Sequence, residues 1–267
     1  MQFTQERVEE GGVMRRLFEL TVAGETVPGV IWAPQGAVGP RPLVLLGHGG
    51  SQHKKVANIA GLAKILVTKF GYAVLAIDAP GHGDRITREE ALANAIEVGK
   101  RVRGEIATPF DPERMRTMAQ RSLLAVGEWK AALDAVQTLD FVGANGPVGY
   151  WGVSMGTSIG LPFVAGEPRI TCAVFGLMGL RPGAEAMEAA AKAISIPVEF
   201  VFQWEDAVAP REAGLALFNA FASTTKSMHI NPGAHSDIPN YETGSWERFF
   251  ERHLGVAVEV KSRLAAA

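Results

Sequence analysis

Gly152-Val153-Ser154-Met155-Gly156 places a serine between two glycines, directly after the short apolar run Val148 to Trp151. If Ser154 sits on a sharp turn from strand to helix, its hydroxyl is thrust out above a sheet edge, and the flanking glycines let neighbouring elements approach closely. The helix that follows would aim its first N–H groups at the place where an oxyanion forms. With 30 glycines in 267 residues, the same pentapeptide also describes an ordinary turn, so its meaning depends on the partners the chain supplies.

A serine hydroxyl is a poor nucleophile at neutral pH and needs a base within hydrogen-bond reach, plus a group that orients the base. His235, in Asn231-Pro232-Gly233-Ala234-His235-Ser236, follows the last expected strand and has the best setting of the six histidines. Its near-neutral titration suits it to take the serine proton and return it to a leaving group. In the loop Gln203 to Pro210 a carboxylate can bond the other imidazole nitrogen; Asp206 is preferred, with Glu205 the rival because adjacent loop side chains point apart.

These residues must be carried by rigid elements. Arg15 to Thr21 and Val27 to Trp32, around Ala23-Gly24-Glu25, read as an opening antiparallel hairpin. Pro42 to His48 and Tyr72 to Asp78 are apolar runs that fit strands covered on both faces, and Ile170 to Leu177, Pro197 to Phe202 and Lys226 to Ile230 read as further strands. Between them, helical spacing marks Val56 to Phe70, Arg88 to Val98, Ala184 to Ile194, Arg211 to Phe221 and Trp246 to His253. A further helix is expected to start with Asp111 as cap and Pro112 in its first turn, and to bury Leu123, Val126, Trp129, Leu133 and Val136. This alternation predicts an α/β domain with a mostly parallel central sheet of about eight strands and helices on both faces, with function at the carboxyl ends of the strands. No linker-like shift divides residues 1–267, so one domain is expected, with 86–117 as a candidate partial lid.

A hydrophobic content of 47% with 20% charged residues fits a folded protein, and a formal charge of −2 offers a polyanion such as nucleic acid no general attraction. The single cysteine, Cys172, excludes an intramolecular disulfide and reads as a buried strand residue. No run approaches the ~20 apolar residues that span a bilayer, and Met1 to Arg7 lacks a hydrophobic signal core, so no membrane partner and a cytoplasmic location are expected. A homodimer is left open.

The elbow, followed in order by acid and histidine on successive strand ends, resembles the α/β-hydrolase fold family from roughly Arg15 to Leu254. His48-Gly49-Gly50-Ser51 is similar to the family's oxyanion loop, which implies that the Gly50 N–H pairs with that of Met155. The hairpin, His48-Gly49-Gly50 and Pro80-Gly81-His82-Gly83 look most like dienelactone-hydrolase-like and peptidase-like esterases; His82 is read as shaping its turn. Dienelactone hydrolases proper carry cysteine at the elbow. Ser154 therefore points instead to a serine carboxylesterase with a small-molecule ester substrate.

The resemblance implies acyl transfer through Ser154, His235 and Asp206, with neither metal nor organic cofactor. Amide, thioester or peptide cleavage by the same triad is the alternative, as is a non-catalytic binding protein. Trp204, Met155, Met178 and Leu180 fall at or beyond strand ends, where they wall an acyl pocket or simply pack the core. Lys100-Arg101-Val102-Arg103 is a solvated face or an attractor for an acidic substrate.

Overall fold

Residues 1–106 and 112–257 are described by the computed structural model of the chain. Its strands are β1 (Gln2–Glu9), β2 (Val13–Val22), β3 (Glu25–Pro34), β4 (Leu43–Gly47), β5 (Ala73–Ile77), β6 (Val148–Val153), β7 (Ile170–Gly176), β8 (Val198–Gln203) and β9 (Lys226–Asn231). Its α-helices are α1 (Ala57–Phe70), α2 (Arg88–Val102), α3 (Pro112–Gln137), α4 (Met155–Ala165), α5 (Glu185–Ala193), α6 (Arg211–Ala220) and α7 (Tyr241–Leu254).

Period-two alternation sets the layers. Leu43 and Leu45 join one buried cluster with Trp129 and Leu133 of α3 and Phe163 of α4. Val44 and Leu46 join the other, with Leu62 and Leu66 of α1 and Trp246 and Phe250 of α7. A strand apolar on both faces is stable only when both faces are covered. Each fully buried Leu or Phe adds roughly 1.5–3 kcal/mol.

The nine strands form one sheet in the order β1-β2-β3-β5-β4-β6-β7-β8-β9. From β5 to β9 the pairing is parallel, whereas β1, β2 and β3 are antiparallel to their neighbours. The chain leaves β4 toward β5 and returns to place β6 on the other side of β4. The carboxyl ends of β4 and β6 therefore flank the switch point where ligands of open α/β sheets bind.

Three expectations need correction. The sheet gains a strand, β1, ahead of the hairpin; the hairpin itself is β2–β3, closed by Ala23 and Gly24, both with positive φ. Leu123 is not in the buried stripe of α3: it is 72% exposed, and among the described residues of the helix burial begins at Ala125 and continues through Trp129, Leu133 and Val136. Helix α7 begins at Tyr241, five residues before Trp246. Pro112 starts α3 as expected, while Asp111 lies outside the described residues. Cys172 is buried in β7, and loss of water around it raises its thiol well above the usual range.

Candidate active site

Every residue of β6 is buried, with β4 on one side and β7 on the other, so the point where β6 ends is rigidly held. There Ser154 adopts φ 56, ψ −119, and α4 begins at the next residue. A positive φ in a non-glycine residue costs roughly 1–3 kcal/mol and persists only where its surroundings enforce it. Here the Ser154 N–H donates to Gly176 O at 2.9 Å. The buried Thr157 hydroxyl accepts from Gly176 N–H at 2.9 Å and has the carbonyls of Gly152 and Gly176 at 2.8 and 2.7 Å for its single proton.

Tyr150 completes the support from beneath, its Oη donating to Gly156 O at 2.7 Å. The ring is buried against Trp129, Phe163 and Phe175. A Cβ built on Gly47, Gly152 or Gly160 would lie 2.3, 2.7 or 2.3 Å from this side chain, so the tyrosine occupies space that only glycines leave free.

The acid and the histidine arrive on adjacent strands. His235 Nε2 is 2.9 Å from Ser154 Oγ, and His235 Nδ1 is 2.7 Å from Asp206 Oδ2. A carboxylate can only accept, so the imidazole proton resides on Nδ1 and the Nε2 lone pair faces the serine hydroxyl. The other Asp206 oxygen accepts the N–H groups of Val208 and Ala209 at 2.8 Å each. His235 and Asp206 are both buried, which fixes their rotamers.

Glu205, the rival acid, turns elsewhere: its carboxylate accepts from the Gly233 N–H in the histidine loop. Together with Trp204 N–H to Asn231 O (2.8 Å) and Glu205 N–H to Gly233 O (3.1 Å), this extends the β8–β9 ladder into the two loops that carry Asp206 and His235. Asp206 thus meets the histidine because its neighbour ties their loops together.

The loop after β4 is held by buried polar groups. His48 Nδ1–H donates to Gly49 O at 2.8 Å, and Nε2 accepts the Ala79 N–H at 3.0 Å. Lys54 Nζ sits 2.5 Å from both Asp78 Oδ2 and Asp84 Oδ2, and Lys54 N–H donates to Asp78 Oδ1 at 2.8 Å. Gln52 Oε1 accepts the Gly49 N–H at 3.0 Å. Among the described residues no backbone carbonyl takes the N–H of Gly50 or that of Met155 at the start of α4.

Burial lowers the pKa of His48 to about 4, so the ring is neutral at neutral pH. The unfolded chain, with the ordinary value of 6.5, binds this proton first as pH falls. Stability is therefore lost as pH drops from 6.5 toward 4, by on the order of 3 kcal/mol from this group. His48→Gln, which cannot gain that charge, is expected to lose correspondingly less over the same range in urea denaturation. Parallel losses in both proteins would refute the assignment.

A cleft of about 210 Å³ opens beside this loop, lined by Ser51, Gln52, His53, Lys55, His82 and Asn94 among others. His82 is partly buried, bonds the Pro80 carbonyl at 3.1 Å and lies 5.4 Å from the His48 ring. Trp204, Met178 and Leu180 do not line the cleft. Trp204 is 47% exposed with the Arg211 guanidinium stacked on it, while Met155, Met178 and Leu180 pack against the core. In the basic run, Arg101 pairs with Glu97 and Arg103 with Glu105. Lys54, Asp78, Tyr150 and Thr157 were not singled out in the sequence, since each acts through a partner that only folding brings near.

No family model and no curated protein matches the chain. Solved structures do. A cold-adapted esterase from an Arctic intertidal metagenomic library is 34% identical over 95% of this chain and 100% of that one, with a TM-score of 0.79. Acetyl xylan esterases from Paenibacillus sp. R4 (18% identity, 95% of this chain and 88% of that one, TM-score 0.66) and Thermoanaerobacterium sp. JW/SL YS485 (16%, 94% and 87%, 0.64) share the fold. The nine-stranded mixed sheet, the strained turn after β6 and this identity over nearly the whole length together mean that the chain belongs to the α/β-hydrolase-fold family of esterases.

Proposed function

We propose that this protein is a serine esterase that cleaves carboxylic esters through an acyl-enzyme, with Ser154 as nucleophile, His235 as general base and acid, and Asp206 as the group that orients the histidine. The observation that carries this reading is the continuous chain of contacts, 2.7 and 2.9 Å long, from Asp206 through His235 to Ser154 Oγ. Ser154 attacks the carbonyl as its proton passes to Nε2. The imidazolium then protonates the leaving alcohol, and the same nitrogen activates water to release the acid.

The N–H groups of Gly50 and Met155 are the proposed oxyanion donors. Gly49 is less suited because Gln52 already engages its N–H. Each donor of this kind is worth ~3 kcal/mol of barrier. We read the chain as one domain in which 86–117 forms a partial cover; residues 107–111 and 258–267 lie outside the described residues, and the reading is supported by α2, none of whose residues is buried.

A fluorophosphonate probe tests the assignment. Wild type is expected to label once per chain, and Ser154→Ala not at all. A panel of chromogenic esters, thioesters and aminoacyl amides is expected to show turnover on small esters. Equal labelling of the variant would remove Ser154 from its role, and an unlabelled wild type would favour a binding protein. Turnover confined to amides would replace the ester reading.

A further inference from the structure

On the face of the sheet covered by α7, Glu199 of β8, His229 of β9 and Glu242 of α7 each direct one ligand atom to a common point. The three atoms all lie within 4.8 Å of one another. His229 Nδ1 is 2.8 Å from Glu242 Oε2 and 4.0 Å from Glu199 Oε1. Glu199 and Glu242 are buried, with side chains 6% and 3% exposed, and among the described residues no lysine or arginine forms a salt bridge with either.

The remaining oxygens of the two carboxylates are already occupied. Asn231 Nδ2 donates to Glu242 Oε1 at 3.0 Å, and Tyr241 Oη orients that asparagine through its Oδ1 at 2.7 Å. Ser245 Oγ donates to Glu199 Oε2 at 3.4 Å. Glu199 Oε1, facing the centre, finds no hydrogen-bond donor among the described residues. An orphaned buried carboxylate oxygen is expensive. One oxygen of each carboxylate held by a neutral donor, with the other aimed inward, is the arrangement by which outer groups orient metal ligands.

We infer that Glu199, His229 and Glu242 form a binding site for a divalent transition-metal ion of the zinc class. Two carboxylates and a neutral imidazole balance a double positive charge and match the mixed nitrogen and oxygen preference of such ions. At ligand distances of 2.0–2.2 Å, tetrahedral ligand atoms stand about 3.4 Å apart. The 2.8 and 4.0 Å separations reach this by shifts of roughly half an ångström, within the freedom of side-chain torsions. Binding through Nδ1 leaves the imidazole proton on Nε2, on a side chain that is 32% exposed and so leaves the ion an approach from solvent. The ion would bridge α7 to β8 and β9, whose ends lead into the loops of Asp206 and His235. None of its ligands belongs to the triad, so the site stands or falls apart from the esterase reading.

The test uses the full chain stripped with a chelator, then titrated with Zn²⁺ by calorimetry and with Co²⁺ by visible absorption. The expected result is one ion per chain, with Glu199→Gln and His229→Gln weakening it by about 100-fold or more and Ser245→Ala by roughly tenfold. The melting temperature should rise with Zn²⁺ in wild type and not in the first two variants. Without metal, Glu199→Gln should melt no lower than wild type, because it neutralises an unpaired buried carboxylate; a purely structural Glu199 would instead make that variant less stable. His229, a third exposed, supplies a variant whose folding is not at risk. No binding at millimolar Zn²⁺, or binding abolished by His235→Ala but untouched by Glu199→Gln and His229→Gln, would overturn the proposal.

Discussion

Asp206→Asn is expected to leave the fold standing and to lower kcat by about 10⁴-fold. Local hydrogen bonding dictates which way the new amide points. The N–H groups of Val208 and Ala209 both donate to Asp206 Oδ1, so in the variant they retain the amide oxygen there and turn the NH₂ group toward His235. That nitrogen is a donor, and His235 Nδ1 must then accept, which drives the imidazole proton onto Nε2. The nitrogen facing Ser154 can no longer take its proton. Steady-state kinetics on a chromogenic ester, beside a thermal melt showing an intact fold, checks this. A loss below tenfold would mean that Asp206 is not the orienting acid. Combining the substitution with Ser154→Ala should cost little beyond Ser154→Ala alone, since the members act as a unit.

Gly156→Ala is expected to have a large effect on stability for a single methyl addition near the site. A Cβ there would lie 2.4 Å from the carbonyl oxygen of Gly47 and 3.0 Å from its carbon, and both atoms are backbone. No rotamer relieves that contact, so α4 must move away from the end of β4. Overpacking of this kind costs roughly 1–3 kcal/mol or more, a drop of several degrees in Tm for a chain of this size. Activity should fall as well, because the same movement separates Gly50 from Met155. Gly61→Ala is the control: it lies inside α1 with nothing within 4 Å of the new atom, and should raise stability by up to about 1 kcal/mol. If Gly156→Ala melted with wild type, the tight approach of α4 to β4 would be refuted.

Parallel strands were the most legible part of the fold, because runs such as Leu43–Gly47 and Ala73–Ile77 are apolar at every position and end in turn residues. β1 carried no such signal: its residues Gln2 to Val8 are all exposed, and it pairs through its backbone with β2. Leu123 misled because its spacing matches Trp129 and Val136, yet it and Leu124 are exposed while Ala125, Trp129, Leu133 and Val136 are buried. The early start of α7 was hidden by Thr243 and Gly244, weak helix formers that packing overrides. Within the site, Ser154, Asp206 and His235 were readable from order along the chain. Lys54 and Asp78 were not, since a buried ion pair 24 residues apart leaves no local pattern. The choice of Asp206 over Glu205 turned on a bond from Gly233 that exists only after β8 and β9 have paired.

The seat of Tyr150 constrains how this sequence can drift. Gly47, Gly152 and Gly160 all border one aromatic side chain, so the four positions form a single epistatic block rather than independent sites. None of the glycines can acquire a methyl while the tyrosine stays. A smaller residue at 150 would open a void worth roughly 3–5 kcal/mol before any neighbour could fill it. Neutral paths out of the present arrangement therefore begin with a deeply unfavourable intermediate, and lineages that carry the tyrosine should keep its glycines long after the surface around them has diverged.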